Sequence, residues 1–440
     1  MKTARHDRPV AHLPGFLRKQ LGLRSRLRVP YDDLVRIRFG DNAYMLTSAA
    51  DIRHVLVSNA YAYIKTPRLT GRLGKERAGR GLLTSGGGEH RRQRLLMQPL
   101  FHQQVVQRFA DVIEDRTRRA MEGWRVDEEI DVAREMSDLA LSVLLAMLFG
   151  VDFVDTDGTV AEAIRTRRRY TEYVYHSHLP FREVLPTRTV RAHRAALAAL
   201  DRVVYDAIAV RRRTGRSKGD MISLLMGARH ADGSQMTDGQ VRDEVLTLSS
   251  TGHETIGDAL AWTWYLLARH PEIDERLSVE LDRVLDRRPP TAEDFGNLRY
   301  TGFVLSESMR LYPPTWIYTR VPLADDRLPS GRDVKQGWTL YLCPYIMHRH
   351  PDYFPDPERF DPDRFGEDAQ DRPKLSYFPF GSGPHTCIGE VFARLQGVLV
   401  LALIRQRFRF EQIAGVRVVP EAGVTLYPKN GLRLRLRSRG

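Results

Sequence analysis

Cysteine is scarce in this chain: among 440 residues there are two, Cys343 and Cys387. Two thiols exclude a disulfide framework and an iron–sulfur cluster, and they fit a reducing, cytoplasmic setting. Long apolar runs are missing too. No stretch of about eighteen apolar residues occurs, and the opening MKTARHDRPVAHLPGFLRKQ is polar, so neither a membrane anchor nor a signal peptide is expected. Internal repeats and low-complexity linkers are absent. A single domain over residues 1–440 is therefore expected, with the first residues, to about position 20, loosely held. Two glycine motifs also fall short. Gly86-Gly87-Gly88 is not followed by Gly-Lys-Ser/Thr, which excludes a phosphate cradle. Gly381-x-Gly383 has Thr386 where a dinucleotide fingerprint needs its third glycine.

What the chain has in excess is arginine. The net charge is +13 and the pI about 9.8, on a composition of 42% hydrophobic and 28% charged residues that is ordinary for a globular protein. A basic balance invites nucleic acid. However, Arg167-Arg168-Arg169 and Arg211-Arg212-Arg213 lie on apparent helices without an aromatic-rich binding motif. They read as solvated helix faces, and the charge as attraction for an acidic protein partner rather than nucleic acid.

Leu34 to Phe39 alternates as a half-buried strand, Gly40-Asp41-Asn42 turns it into a second one at Ala43 to Thr47, and Ser48 caps the next helix. Residues 62–86 carry scattered glycines and no lasting period, which predicts a long functional loop. Helical patterns dominate from Glu89 to Arg310, with breaks at Gly150 to Gly158 and Ser177 to Pro186. Near the second break, Tyr170, Tyr173, Tyr175, His176 and His178 either pack between helices or line a lid over a substrate. Thr237-Asp238-Gly239-Gln240 has the form of a capping box. From it one helix is predicted to run to Arg269, roughly 50 Å at about 1.5 Å per residue. In the tail, Gly423 to Tyr427, Asn430-Gly431 and Leu432 to Arg437 read as a hairpin. The fold expected is mainly α with small antiparallel sheets.

Cys387 sits in a glycine-rich loop just before the helical pattern Val391 to Phe408. There a helix dipole and free backbone N–H groups favour a thiolate, and Gly383 and Gly389 give a metal room to approach. Glu254 next to Thr255 suits stepwise proton delivery, and Gly252 with Thr251 weakens the helix around them. Glu307 and Arg310 stand one turn apart on a helix, as do His90 and Arg94. Cys343 with His348 and His350 lacks a closed zinc spacing.

Phe380-x-x-Gly383-x-His385-x-Cys387-x-Gly389 resembles the haem-binding signature of the cytochrome P450 family. Thr251-Gly252-His253-Glu254-Thr255 is similar to the family's acid–alcohol motif, with Thr251 in place of Ala or Gly and Ile256 where a second Thr is frequent. Glu307-x-x-Arg310 matches its E-x-x-R helix. The resemblance implies heme b (iron protoporphyrin IX) with Cys387 as axial thiolate. It implies propionate partners in His90, Arg94, Arg320 and His385, and a buried Glu307–Arg310–Arg359 network behind the loop. It places Trp316, Ile317 and Tyr318 beside the haem pocket. The activity implied is a haem-thiolate monooxygenase of the soluble bacterial type, inserting one atom of O2 into a bulky apolar substrate such as a terpenoid, polyketide or fatty-acid-like secondary metabolite. Electrons would come from an external ferredoxin and ferredoxin reductase. A peroxide-driven or isomerising haem-thiolate enzyme and a non-catalytic haem-binding sensor are the alternatives.

Overall fold

The structure, a computed structural model, describes residues 10–12, 28–30, 34–36, 42–175, 183, 185–215, 219–367 and 371–439. The expectations for the opening residues, for the turn at Gly40-Asp41 and for most of the break at 177–186, with His176 and His178, lie largely outside these. Helices that carry the site are Gly87–Met97 (α1), Val132–Phe149 (α2), Thr159–Tyr175 (α3), Asp238–Thr251 (α4), Glu254–Leu267 (α5), Arg299–Leu311 (α6) and Glu390–Arg405 (α7). α5 runs through the interior against α2, α6 and α7. Its Leu260, Ala261 and Trp262 are fully buried in a core that reaches from Leu82 to Leu436. None of the described helices is long and apolar enough to cross a membrane.

The predicted single helix starts where expected. Thr237 Oγ1 accepts from Gln240 N at 3.2 Å, and Gln240 Oε1 accepts from Thr237 N at 2.8 Å, closing the capping box. It does not run through to Arg269. α4 stops at Thr251, and His253, at φ −121°, begins α5. A Cβ on Gly252 would lie 2.7 Å from the Leu248 carbonyl oxygen of α4 itself and 3.1 Å from Leu144 Cδ1 of α2, so a side chain here would press first on the end of its own helix.

Two further expectations are corrected, and a third holds with one exception. Residues 62–86 are not one loop: Pro67–Thr70 and Arg72–Ala78 are short helices, too brief to show a period. The small sheets are mostly antiparallel, yet Thr339–Leu342 pairs in parallel with Ala43–Leu46, since a long crossover rather than a turn joins them. Asn430-Gly431 does not close the tail hairpin. Leu426–Pro428 pairs with Pro420–Ala422, while Arg433–Ser438 pairs with Phe408–Gln412 and Glu129–Asp131, burying Leu434 and Leu436 against the main core. Alternation identified the strands but not their partners.

The arginine triplets are also not solvated faces. Arg167 and Arg211 are buried and Arg168 half-buried, leaving Arg169, Arg212 and Arg213 exposed. Arg211 Nη2 donates to the Phe149 carbonyl at 3.0 Å and pairs with Asp220.

Behind the cysteine loop, Glu307 and Arg310 are both fully buried, joined by two bonds of 2.7 and 2.8 Å. Arg310 also donates to the carbonyls of His348, Pro357 and Arg359 at 2.8, 2.7 and 2.9 Å. Arg359 thus contributes its backbone: its side chain is exposed, and the second cation near Glu307 is Arg364, at 3.5 Å. Sequence spacing points to a residue, not to which of its groups is used. Arg310→Leu leaves Glu307 buried without its partner and should cost about 3–5 kcal/mol. Denaturant midpoints should show a Glu307→Met/Arg310→Leu double variant losing less than the two single losses combined.

Candidate active site

Cys387 is held by its own backbone, its N–H donating to the Phe380 carbonyl at 2.8 Å. The loop turns through Gly381 and Gly383, at φ +71° and +69°. A Cβ on Gly383 would stand 1.9 Å from the Leu56 carbonyl oxygen, so this glycine seats the loop on the neighbouring turn instead of making room for a metal. A Cβ on Gly389 would lie 4.0 Å from Cys387 Sγ. The accessible surface of Cys387 opens into an interior cavity of about 1460 Å³. Here burial wins over the helix end: it pushes the thiol up, against the lowering effect of the Gly389 N–H and Arg94. A bound metal cation would add to the lowering effect of the Gly389 N–H and Arg94 and hold the sulfur ionised.

Basic side chains converge beside the loop. His385 Nδ1 lies 3.1 Å from His90 Nε2, and Arg94 Nη1 donates to the Thr386 carbonyl at 2.5 Å. Arg320, on the strand Tyr318–Pro322, is buried with Nη1 bonded to its neighbour's carbonyl, Thr319 O, at 2.8 Å. Lys65, absent from the sequence reading, joins them and donates to the carbonyls of Leu82, Leu83 and Ser85 at 3.0, 2.9 and 3.2 Å. Its pKa falls to about 7 through burial and then Arg320, while burial and Lys65 lower His90 to about 4. None of the ion pairs among the described residues gives Lys65, Arg94 or Arg320 a carboxylate within 4.0 Å. Buried cations that depress one another are a donor set awaiting anions, and two propionates fit it.

Across the cavity, α4 and α5 meet at the acid–alcohol pair. Glu254 and Thr255 both line the cavity, as do Thr251 and Gly252. Thr255 Oγ1 donates to the Thr251 carbonyl at 3.0 Å, leaving its lone pairs free to accept a proton donor. Glu254 Oε1 is 3.2 Å from Arg168 Nε. Burial outweighs that guanidinium and pushes Glu254 up to about 8; Asp258, one turn on, is pushed up to about 7 for the same reason. Glu254 thus favours its protonated form at neutral pH, while Asp258, which feels Arg168 only from a distance, is near its midpoint there. Neither Arg168 nor Asp258 was found from sequence, because nothing local marks the residue on α3 that will face α5.

Trp316, Ile317 and Tyr318 all line the cavity, although Trp316 is 1% exposed and tied to the Gly423 carbonyl at 2.9 Å, and Tyr318 to that of Pro379 at 2.9 Å. Near the second break the two readings divide: Tyr170 stacks on His193 at 3.9 Å between helices, whereas Tyr175 reaches the cavity wall. Cys343 Sγ donates to the Trp316 carbonyl at 3.2 Å, and His348 Nε2 accepts from Phe378 N at 3.0 Å, so each has a structural partner.

A family model described as Cytochrome P450 matches residues 13–432. The chain is 35% identical over 419 residues to cyclooctat-9-en-7-ol 5-monooxygenase of Streptomyces melanosporofaciens, covering 92% of this chain and 88% of that one. It is 31% identical over 441 residues to pentalenene oxygenase of Streptomyces avermitilis, covering 98% and 95%. Among solved structures, the retinoic acid-bound cyanobacterial CYP120A1 superposes with a TM-score of 0.83 at 25% identity, covering 92% of both chains. With a loop cysteine opening on a deep cavity and unpaired cations beside it, the chain belongs to the cytochrome P450 family, as a monooxygenase that uses heme b with a cysteine thiolate as axial ligand.

Proposed function

We propose that this protein hydroxylates or otherwise oxygenates a cyclic terpenoid, with Cys387 as the iron ligand. The observation that carries the reading is the cavity: about 1460 Å³, walled mainly by apolar groups and reaching from Cys387 to the Glu254–Thr255 pair. Relatives named for cyclooctat-9-en-7-ol and pentalenene support a terpenoid over a polyketide or fatty acid. When bound, the thiolate-ligated haem supplies the activation of dioxygen for insertion of one atom into the substrate. His90, Arg94, Arg320, His385 and Lys65 would bind its propionates, with Arg94, Arg320 and Lys65 supplying the positive charge. Phe380, Gly383 and Gly389 would shape the loop that presents Cys387. Glu254 would hold a proton at its carboxyl, with Thr255 Oγ1 accepting a hydrogen bond and orienting a donor toward the cavity. Trp316, Ile317 and Tyr318 would pack against the apolar guest.

We read the chain as one domain, working in the cytoplasm with electrons from an external ferredoxin and its reductase. Support for an acidic carrier comes from α1, where Arg91 and Arg92 are exposed beside the propionate set; Arg92 spends part of its charge on Asp232, at 3.3 Å. A spectral-shift screen of the purified ferric protein tests the substrate class. Cyclic terpene hydrocarbons and alcohols should move the Soret band at micromolar concentration, and linear fatty acids should not. A response confined to the fatty acids would overturn the terpenoid reading.

A further inference from the structure

Arg167 is the part of the cavity that the proposed chemistry leaves without a task. It lies on α3, 4% exposed, and lines the cavity on the side of α4. Only Nη1 makes hydrogen bonds among the described residues, to Ser249 Oγ at 3.0 Å and to the Leu246 carbonyl at 3.5 Å. Nε is buried with no partner. No carboxylate among the described residues comes within ion-pairing distance. The acid that acts on it from further off, Asp201, is held by Arg242 through two bonds of 2.7 and 2.8 Å. The neighbouring His193 is kept neutral by burial and by Arg167 itself, so it offers no compensation.

The cavity's other arginines are committed. Arg77 pairs with Glu183 at 3.0 Å, Arg168 with Glu254 at 3.2 Å, and Arg68 donates to the Val174 carbonyl at 2.7 Å. A brace between α3 and α4 needs no charge here, since a methionine or glutamine would fill the space without burying an uncompensated cation. Nη2 also has no hydrogen-bond partner among the described residues, and a guanidinium with free donors at the wall of a ligand cavity has the chemistry of a carboxylate clamp.

We infer that Arg167 anchors a carboxylate on the substrate, so that the enzyme takes an apolar skeleton already oxidised at one end. The inference rests on the reading of this cavity as the substrate site. Ser249 lies on α4, on the other side of the break at Gly252 and His253 from Thr255 on α5. A skeleton held by its carboxylate at Arg167 would lie in the same cavity that Cys387 lines. The carboxylate implies that an earlier oxidation, of an alcohol or aldehyde to an acid, supplies this substrate.

Calorimetric binding to the holoenzyme of matched triplets tests this: abietic acid, abietinol and abietadiene, with a linear acid, alcohol and alkane set alongside. Within a triplet the acid should bind roughly ten- to a hundred-fold tighter than the hydrocarbon, as expected of hydrogen bonds to charged groups. Arg167→Gln should erase that preference while still taking up the hydrocarbon, which also reports that the variant is folded. Arg167→Lys should restore part of it. Hydrocarbon binding with no preference for the acid in the parent, or a preference that survives in Arg167→Gln, overturns the anchor and leaves the apolar-cavity reading standing. Preference for the linear acid over abietic acid, lost in Arg167→Gln, supports the anchor and overturns the terpenoid reading instead.

Discussion

Replacing Cys387 by histidine should abolish the thiolate-type Soret band of the reduced, carbon monoxide-bound protein and, with it, all product formation. The loss should be complete because sulfur, not the loop, supplies the ligand character. The loop itself should survive, since it is held by the Cys387 N–H on Phe380 and by the seating of Gly383 against Leu56. Cys343→Ser is the control. That thiol is fully buried, donates to the Trp316 carbonyl and is pushed up to about 12 by burial, so it has neither access to the cavity nor a tendency to ionise. A Soret band unchanged in Cys387→His, or lost in Cys343→Ser, would overturn the assignment.

Thr255→Ala and Glu254→Gln are expected to keep haem and substrate while losing about 10²–10⁴-fold in product formation, the usual contribution of a positioned acid or base. Electrons should then leave as hydrogen peroxide. The pH dependence separates the two roles. Burial raises the Glu254 carboxyl to about 8, so its proton is present below that pH and is lost as pH rises through it. Product per electron in the parent should accordingly fall above pH 8, and Glu254→Gln should show no such inflection. Arg168→Met removes the group that favours the carboxylate, and should move the inflection upward rather than abolish it. An inflection that stays in place in Glu254→Gln would assign the proton to another group, with Asp258 the nearest buried acid.

Local signals carried much of the reading. The loop from Phe380 to Gly389, the Thr237 capping box, the weak point at Gly252 and the helical spacing of Glu307 with Arg310 are all short-range patterns. Each turned up where the spacing put it, because such features are decided by backbone conformation and near neighbours. Strand pairing was less accessible. Leu432 to Arg437 alternates plainly, but alternation says which face is buried and not which strand lies alongside.

Charge state was the least legible property of all. Three consecutive arginines looked alike in sequence, yet in the fold Arg169 is solvated, Arg168 holds Glu254, and Arg167 is buried at the cavity wall with donors left unpaired. The sequence by itself determined the family, the cofactor type and the residue classes around it, through motifs whose spacing is set by local backbone geometry. Only the tertiary structure decided that Lys65 is buried near His90 and Arg320, that Arg359 acts through its carbonyl and that burial raises the Glu254 carboxyl. The reason is physical: burial and the company of distant charges set the free energy of an ionised group, and both arise only when separate helices pack.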